Sequence, residues 1–165
     1  IAALLGSPMH LRSEPGRGSV LAIDVPLVAE ATAQRTTSTG VAGLRILVVD
    51  NEPLALAALQ SVLSGWGCDV DAVGDGDAAA ACLSAQPADL WIFDYHLDAG
   101  DDGVALQKRL SQRFGQVPCM ILSADQTGAV RTAAQEVGLP LLMKPLRPLA
   151  LKSMLDRMLA ARGAG

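Results

Sequence analysis

The sequence predicts an α/β domain built as a doubly wound five-stranded parallel sheet with helices on both faces. Two observations predict it. Residues 44–162 alternate short apolar runs with stretches of helical spacing, five times over, and strand–helix alternation builds parallel sheets. All but one of the apolar runs then end in a group capable of chemistry, as expected where open sheets bind ligands beyond the carboxyl ends of their strands.

Length and composition agree with one such domain plus a smaller piece. The chain has 165 residues, 50% hydrophobic and 18% charged, which is globular rather than disordered. Net charge is −4, from 17 acids and 13 bases. No Lys/Arg block stands out, so a nucleic-acid partner is not expected. No apolar run approaches the ~20 residues of a membrane span, so membrane contact is not expected either. The opening Ile-Ala-Ala-Leu-Leu is too short for a signal peptide and lacks a basic start. With no initial Met, the chain is expected to be a fragment of a longer protein. Cys68, Cys82 and Cys119 show neither metal-ligand spacing nor a disulfide framework, and read as buried free thiols of a cytosolic protein.

Three regions separate along the chain. In residues 1–28, positions 10–14 and 19–25 alternate in the strand manner around Pro-Gly-Arg-Gly, which supplies the turn of a hairpin. This piece is too small to bury a core and reads as the severed end of another domain. Residues 29–43 are small and polar, without hydrophobic period, and read as a flexible linker. Residues 44–165 form the α/β domain.

The predicted strands there are 45–49, 68–73, 90–93, 118–122 and 139–143. In the first helix Leu56, Leu59, Leu63 and Trp66 share a face, and Gly67 stops it. Asp75 or Asp77 caps the alanine-rich run 78–84, and Pro87 ends it. Val104, Leu106 and Leu110 mark a third helix. Residues 127–137 make a fourth, stopped by Gly138. Pro148 opens the fifth, with Leu151, Met154, Leu155 and Met158 on its apolar side.

Asp50, Asn51 and Glu52 follow the first strand, Asp94 the third, Ser123 the fourth and Lys144 the fifth, with Pro145 next; the second ends blandly in Gly74, as an outer strand can. If the strands are parallel, these groups converge on one edge. Carboxylates so close repel unless a cation joins them. Oxygen ligands without His or Cys favour Mg²⁺, held by carboxylates, water and phosphate oxygens. With a hydroxyl and an ammonium facing the same place, the set reads as phosphoryl transfer. No G-x-x-x-x-G-K-[ST] cradle is present, so a protein carboxylate is the expected acceptor.

At these residues the sequence resembles the response-regulator receiver domain. The likeness rests on Val-Val-Asp-Asn-Glu-Pro, Trp-Ile-Phe-Asp-Tyr-His-Leu, Ile-Leu-Ser-Ala-Asp and Met-Lys-Pro-Leu, in that order and each at a predicted strand end. Residues 1–28, with Ser-Glu-Pro-Gly-Arg-Gly-Ser-Val and Val-Pro-Leu, resemble the closing hairpin of a histidine-kinase ATP-binding domain. Together they look like the C-terminal part of a hybrid sensor histidine kinase. The resemblance implies a flavodoxin-like sheet of order 2-1-3-4-5. It implies Asp94 as phosphoacceptor, assisted by Lys144 and Ser123. Mg²⁺ (or Mn²⁺) would be held by Asp50, Asn51, Asp94 and the backbone carbonyl of His96, and the Lys144–Pro145 bond would be cis. The implied partner is a histidine kinase dimerisation domain or a histidine phosphotransfer protein. The fourth helix, fifth strand and fifth helix offer a partner or homodimer face. The implied location is cytoplasmic, in a parent chain that could be membrane-anchored. The fragment itself is not expected to be an ATP kinase.

Three departures stand out. Asn51 replaces an acid, Leu141 stands where an aromatic switch residue is usual, and the loop Tyr-His-Leu-Asp-Ala-Gly-Asp-Asp-Gly lacks the usual proline. They leave room for a non-phosphorylated pseudo-receiver that serves as an interaction module. A haloacid-dehalogenase type hydrolase is disfavoured, because His96 stands where that chemistry usually has a second Asp. Among the remaining polar residues, Glu52 reads as a solvated first-turn residue. Asp98, Asp101 and Asp102 read as a solvated loop, and Asn51 as a ligand or helix cap. The side chains of His96 and His10 are not phosphohistidine candidates, and Trp66 is a core residue.

Overall fold

A computed structural model describes residues 9–14, 18–23, 40–98, 102–125 and 127–162. The chain divides into two compact units, Ile1–Thr37 and Ser38–Gly165. The described part of the first is an antiparallel hairpin of β1 (Met9–Glu14) and β2 (Gly18–Ile23), in register from Met9 opposite Ile23 to Glu14 opposite Gly18. Most of its predicted turn, and Asp24 and Val25 of the second strand, lie outside the described residues.

The second unit alternates β3 (Arg45–Val49), α1 (Pro53–Gly65), β4 (Asp69–Val73), α2 (Gly76–Ala85), β5 (Leu90–Asp94), α3 (Gly103–Phe114), β6 (Cys119–Ser123), α4 (Gly128–Glu136), β7 (Leu141–Met143) and α5 (Pro148–Arg162). The five strands run parallel in the order β4-β3-β5-β6-β7, which is 2-1-3-4-5 counted within the unit. β4 is an outer strand, in keeping with its bland end.

The side-chain period of two sends alternate strand residues to opposite faces. Ile46, Val48, Leu90, Ile92, Met120 and Leu122 pack with Leu59 and Leu63 of α1 and Leu151 and Leu155 of α5. Leu47, Val49, Trp91, Phe93 and Ile121 pack on the other face with Ala79 and Leu83 of α2 and Val104, Leu106 and Leu110 of α3. Covered on both sides, the central strands are apolar without a break, as buried parallel strands are.

The helix signals resolve individually. Pro53 opens α1, and Gly67 closes it at φ +85°, a left-handed conformation that glycine adopts without cost. Asp75, not Asp77, caps α2, its carboxylate accepting from the Ala78 N–H at 2.8 Å. Thr127 holds the N-cap position of α4 without a side-chain bond.

Four expectations change. The expected linker 29–43 runs too far. Residues 29–39 lie outside the described ones, and Val41 is fully buried in the core, beside a turn in which Gly43 N donates to Gly67 O at 2.8 Å. An apolar residue anchored this way belongs to the domain. Cys82 is half-buried on α2 rather than buried. Cys68 and Cys119 are buried, and burial pushes their thiols up, which keeps them unreactive. β7 spans three residues, shorter than predicted, and Leu139 instead packs against the core beyond it. Asp102 is no solvated loop residue: its carboxylate accepts from the Ala105 N–H at 2.7 Å and caps α3.

Fully buried Leu63 and the capping Asp75 separate core packing from helix termination. Leu63→Ala should cost about 3 kcal/mol of unfolding free energy, and Asp75→Ala about 1 kcal/mol. Urea titrations read as midpoint shifts at constant slope check both.

Candidate functional site

β3 and β5 are neighbours in the middle of the sheet, and each delivers an aspartate at its carboxyl end. Asp50 is fully buried and Asp94 is 6% exposed. Lys144, from the end of β7, reaches both, with Nζ 2.7 Å from Asp50 Oδ2 and 2.8 Å from Asp94 Oδ1. The remaining carboxylate oxygens are held by backbone amides two residues on. Glu52 N donates to Asp50 Oδ1 at 2.9 Å, and His96 N to Asp94 Oδ2 at 3.2 Å. Burial works against the Lys144 ammonium, but its hydrogen bonds to Asp50 and Asp94 and their charges outweigh that and hold its pKa above the ordinary lysine value.

Ser123 ends β6 and is fully buried. Its carbonyl accepts from Lys144 N at 2.8 Å, and its hydroxyl accepts from Asp125 N at 3.0 Å. The Lys144–Pro145 bond is cis.

Asn51 lies on the rim, exposed, and its Nδ2 donates to Asp98 Oδ1 at 2.7 Å. It caps no helix. The N-cap position of α1 belongs to Glu52, whose exposed side chain makes no capping bond. Asp98 is therefore engaged rather than merely solvated, while Asp101 lies outside the described residues. His96 pairs with Asp102 across the base of this loop. Its exposed ring stands edge-on to Tyr95, with Nε2 3.7 Å from Asp125 Oδ2.

Sequence reasoning missed two residues. Asp125 is bonded by the backbone N–H of Thr127 at 2.7 Å; that bond, the Thr127 hydroxyl and then His96 hold its carboxyl below the usual range. Gly103 packs so closely on β5 that a Cβ there would lie 2.3 Å from the Asp94 carbonyl oxygen. A glycine directly after the Asp102 cap, where better helix formers are available, was the signal for it.

Among the described residues, no three His, Cys, Asp or Glu side chains gather into a metal cluster. The edge presents two carboxylates, one ammonium, one hydroxyl and one amide. Paired carboxylates gripped by a single ammonium at the carboxyl edge of a 2-1-3-4-5 sheet define a receiver-type fold.

The profile of the response regulator receiver domain matches residues 46–156. The chain belongs to the response regulator receiver family. It is 31% identical to the virulence sensor protein BvgS of Bordetella bronchiseptica across 99% of its own length and 14% of that protein's. To the sensor protein TorS of Escherichia coli it is 28% identical, over 81% of this chain and 15% of that one. The chain thus spans about a seventh of these relatives. Among solved structures, the signal receiver domain of an HD domain-containing protein from Pseudomonas fluorescens Pf-5 superposes with a TM-score of 0.67 at 26% identity, over 74% of this chain and 99% of that one.

Two outcomes follow from this geometry. Gly103→Ala forces a carbon against backbone, so β5 or α3 must shift, at a cost of about 1–3 kcal/mol in a urea titration. Lys144→Met leaves two buried carboxylates without their cation and should cost about 2–3 kcal/mol, tempered by the water that reaches the ammonium. A folded pKa raised above the unfolded one means this contribution is complete below the unfolded lysine value and lost as pH rises through the folded one. The deficit should stay constant from about pH 6 to about pH 9 and shrink above about pH 10.4, as pH-dependent denaturation curves will show.

Proposed function

We infer that this chain takes a phosphoryl group from a phosphohistidine onto Asp94 and serves a two-component His–Asp phosphorelay. The observation that carries the reading is the single Lys144 ammonium bound to both Asp50 and Asp94. A lysine so placed orients the Asp94 carboxylate, and it stands ready to meet the charge of an incoming phosphoryl group.

In the reaction, one Asp94 oxygen forms a bond to phosphorus as the phosphorus–nitrogen bond of the donor opens in line. The bonding pair leaves with the imidazole, which takes up a proton. The Ser123 hydroxyl, buried at the end of the adjacent strand, would donate to a phosphoryl oxygen. To do so it gives up no bond of its own, since toward Asp125 it acts only as acceptor.

The donor set suits Mg²⁺ or Mn²⁺. All its members are oxygens, and two carboxylates against one ammonium leave a net charge of −1. Asp50, Asp94, the Asn51 amide oxygen and the His96 carbonyl would hold the ion. When bound, it neutralises charge on the transferring group and on the acceptor.

The partner is a histidine kinase dimerisation domain or a histidine phosphotransfer protein, and α4, β7 and α5 are the face assigned to partner or homodimer contact, by family analogy. The parent is a hybrid sensor kinase with the receiver on its cytoplasmic side. The alignment with the sensor protein BvgS along nearly the whole chain supports a sensor parent, and the sequence resemblance of residues 1–28 supports the reading of β1–β2 as the end of an ATP-binding domain. No helix among the described residues is long and apolar enough to cross a membrane.

A small-molecule phosphodonor with Mg²⁺ should add one phosphoryl group to the intact chain, seen by mass spectrometry. Asp94→Asn should abolish the gain, and chelation should suppress it. A chain that gains nothing, or gains as much with Asn at position 94, is a pseudo-receiver instead.

A further inference from the structure

Two departures from the receiver pattern, the amide at position 51 and the acidic loop after Asp94, lie far apart in sequence and meet in the fold. Asn51 Nδ2 donates to Asp98 Oδ1 at 2.7 Å. A carboxylate only accepts, so the amide must turn its NH₂ end to Asp98. The carbonyl oxygen is then the end left for a cation. At 2.7 Å the bond sits at the short end expected for an ionised acceptor. Such a partner polarises the amide and makes its oxygen a stronger donor to a metal.

The backbone two residues before Asp98 is anchored: His96 N bonds the Asp94 carboxylate, and His96 pairs with Asp102. The charge count also balances. Asn51 together with Asp98 carries the same charge as an acid at 51 beside a neutral residue at 98.

We propose that Asp98 is a positioning residue of the cation site: it fixes the Asn51 amide with its oxygen available to Mg²⁺ and restores, one hydrogen bond away, the negative charge that position 51 lacks. This rests on the phosphoacceptor reading above.

The test is a calorimetric MgCl₂ titration of the full chain at low ionic strength. Asp98→Asn should weaken Mg²⁺ about ten-fold, with the urea midpoint unchanged, and added salt should narrow the difference. Asn51→Asp should tighten Mg²⁺ and rescue the loss. In that background Asp98→Asn should change affinity by less than about three-fold, because the two positions act as one unit. If Asp98→Asn stays within about two-fold of the unsubstituted chain while Asp94→Asn weakens binding, the role of Asp98 is overturned and the phosphoacceptor site stands. If Mg²⁺ fails to bind the unsubstituted chain, or binds with no regard to Asp94→Asn, both fall together.

Discussion

The Lys144 ammonium between Asp50 and Asp94 is the contact on which the carboxyl edge of the sheet depends. Two carboxylates withdrawn from water at the ends of adjacent central strands would drive each other apart. One cation, 2.7 and 2.8 Å from each, makes their proximity tolerable. It also ties β7 to β3 and β5, strands that it does not adjoin in the sheet. The same contact underlies the proposed chemistry, because a positive charge beside a carboxylate suits attack on an anionic phosphoryl group.

The rest of the architecture serves that contact. Helices on both faces bury the central strands completely, so the strand ends are fixed by core packing and not by loops. Gly103 brings the start of α3 against the backbone of Asp94, closer than any side chain would allow. Backbone amides two residues past each aspartate satisfy the oxygens that the lysine does not reach. All four oxygens of the two carboxylates are thereby assigned, as buried polar groups require.

The departures from the receiver pattern fall around this centre rather than in it. Asp50, Asp94, Ser123 and Lys144 keep their places. Asn51 and the loop after Asp94 change on the rim, where Asn51 bonds Asp98. Leu141 opens β7, half-buried opposite Ile121, and packs with the α2–α3 side of the core. An aliphatic side chain there lacks the planar ring on which an aromatic-coupled switch relies, so a conformational response in this chain would run through other residues.

The sequence by itself determined the strand–helix alternation, the parallel sheet and the strand ends that bear Asp50, Asp94, Ser123 and Lys144. Those features follow from local rules: hydrophobic period, glycine and proline stops, and polar residues placed directly after apolar runs. Tertiary structure alone decided the rest. It showed that Val41 belongs to the core, that Asp98 meets Asn51, and that position 103 has no room for a carbon. Each of these depends on a distance between different segments brought together by the fold, and periodicity carries no information about such distances. The surroundings of the amide that follows Asp50 are of the same kind, for its hydrogen-bond partner is a carboxylate 47 residues away.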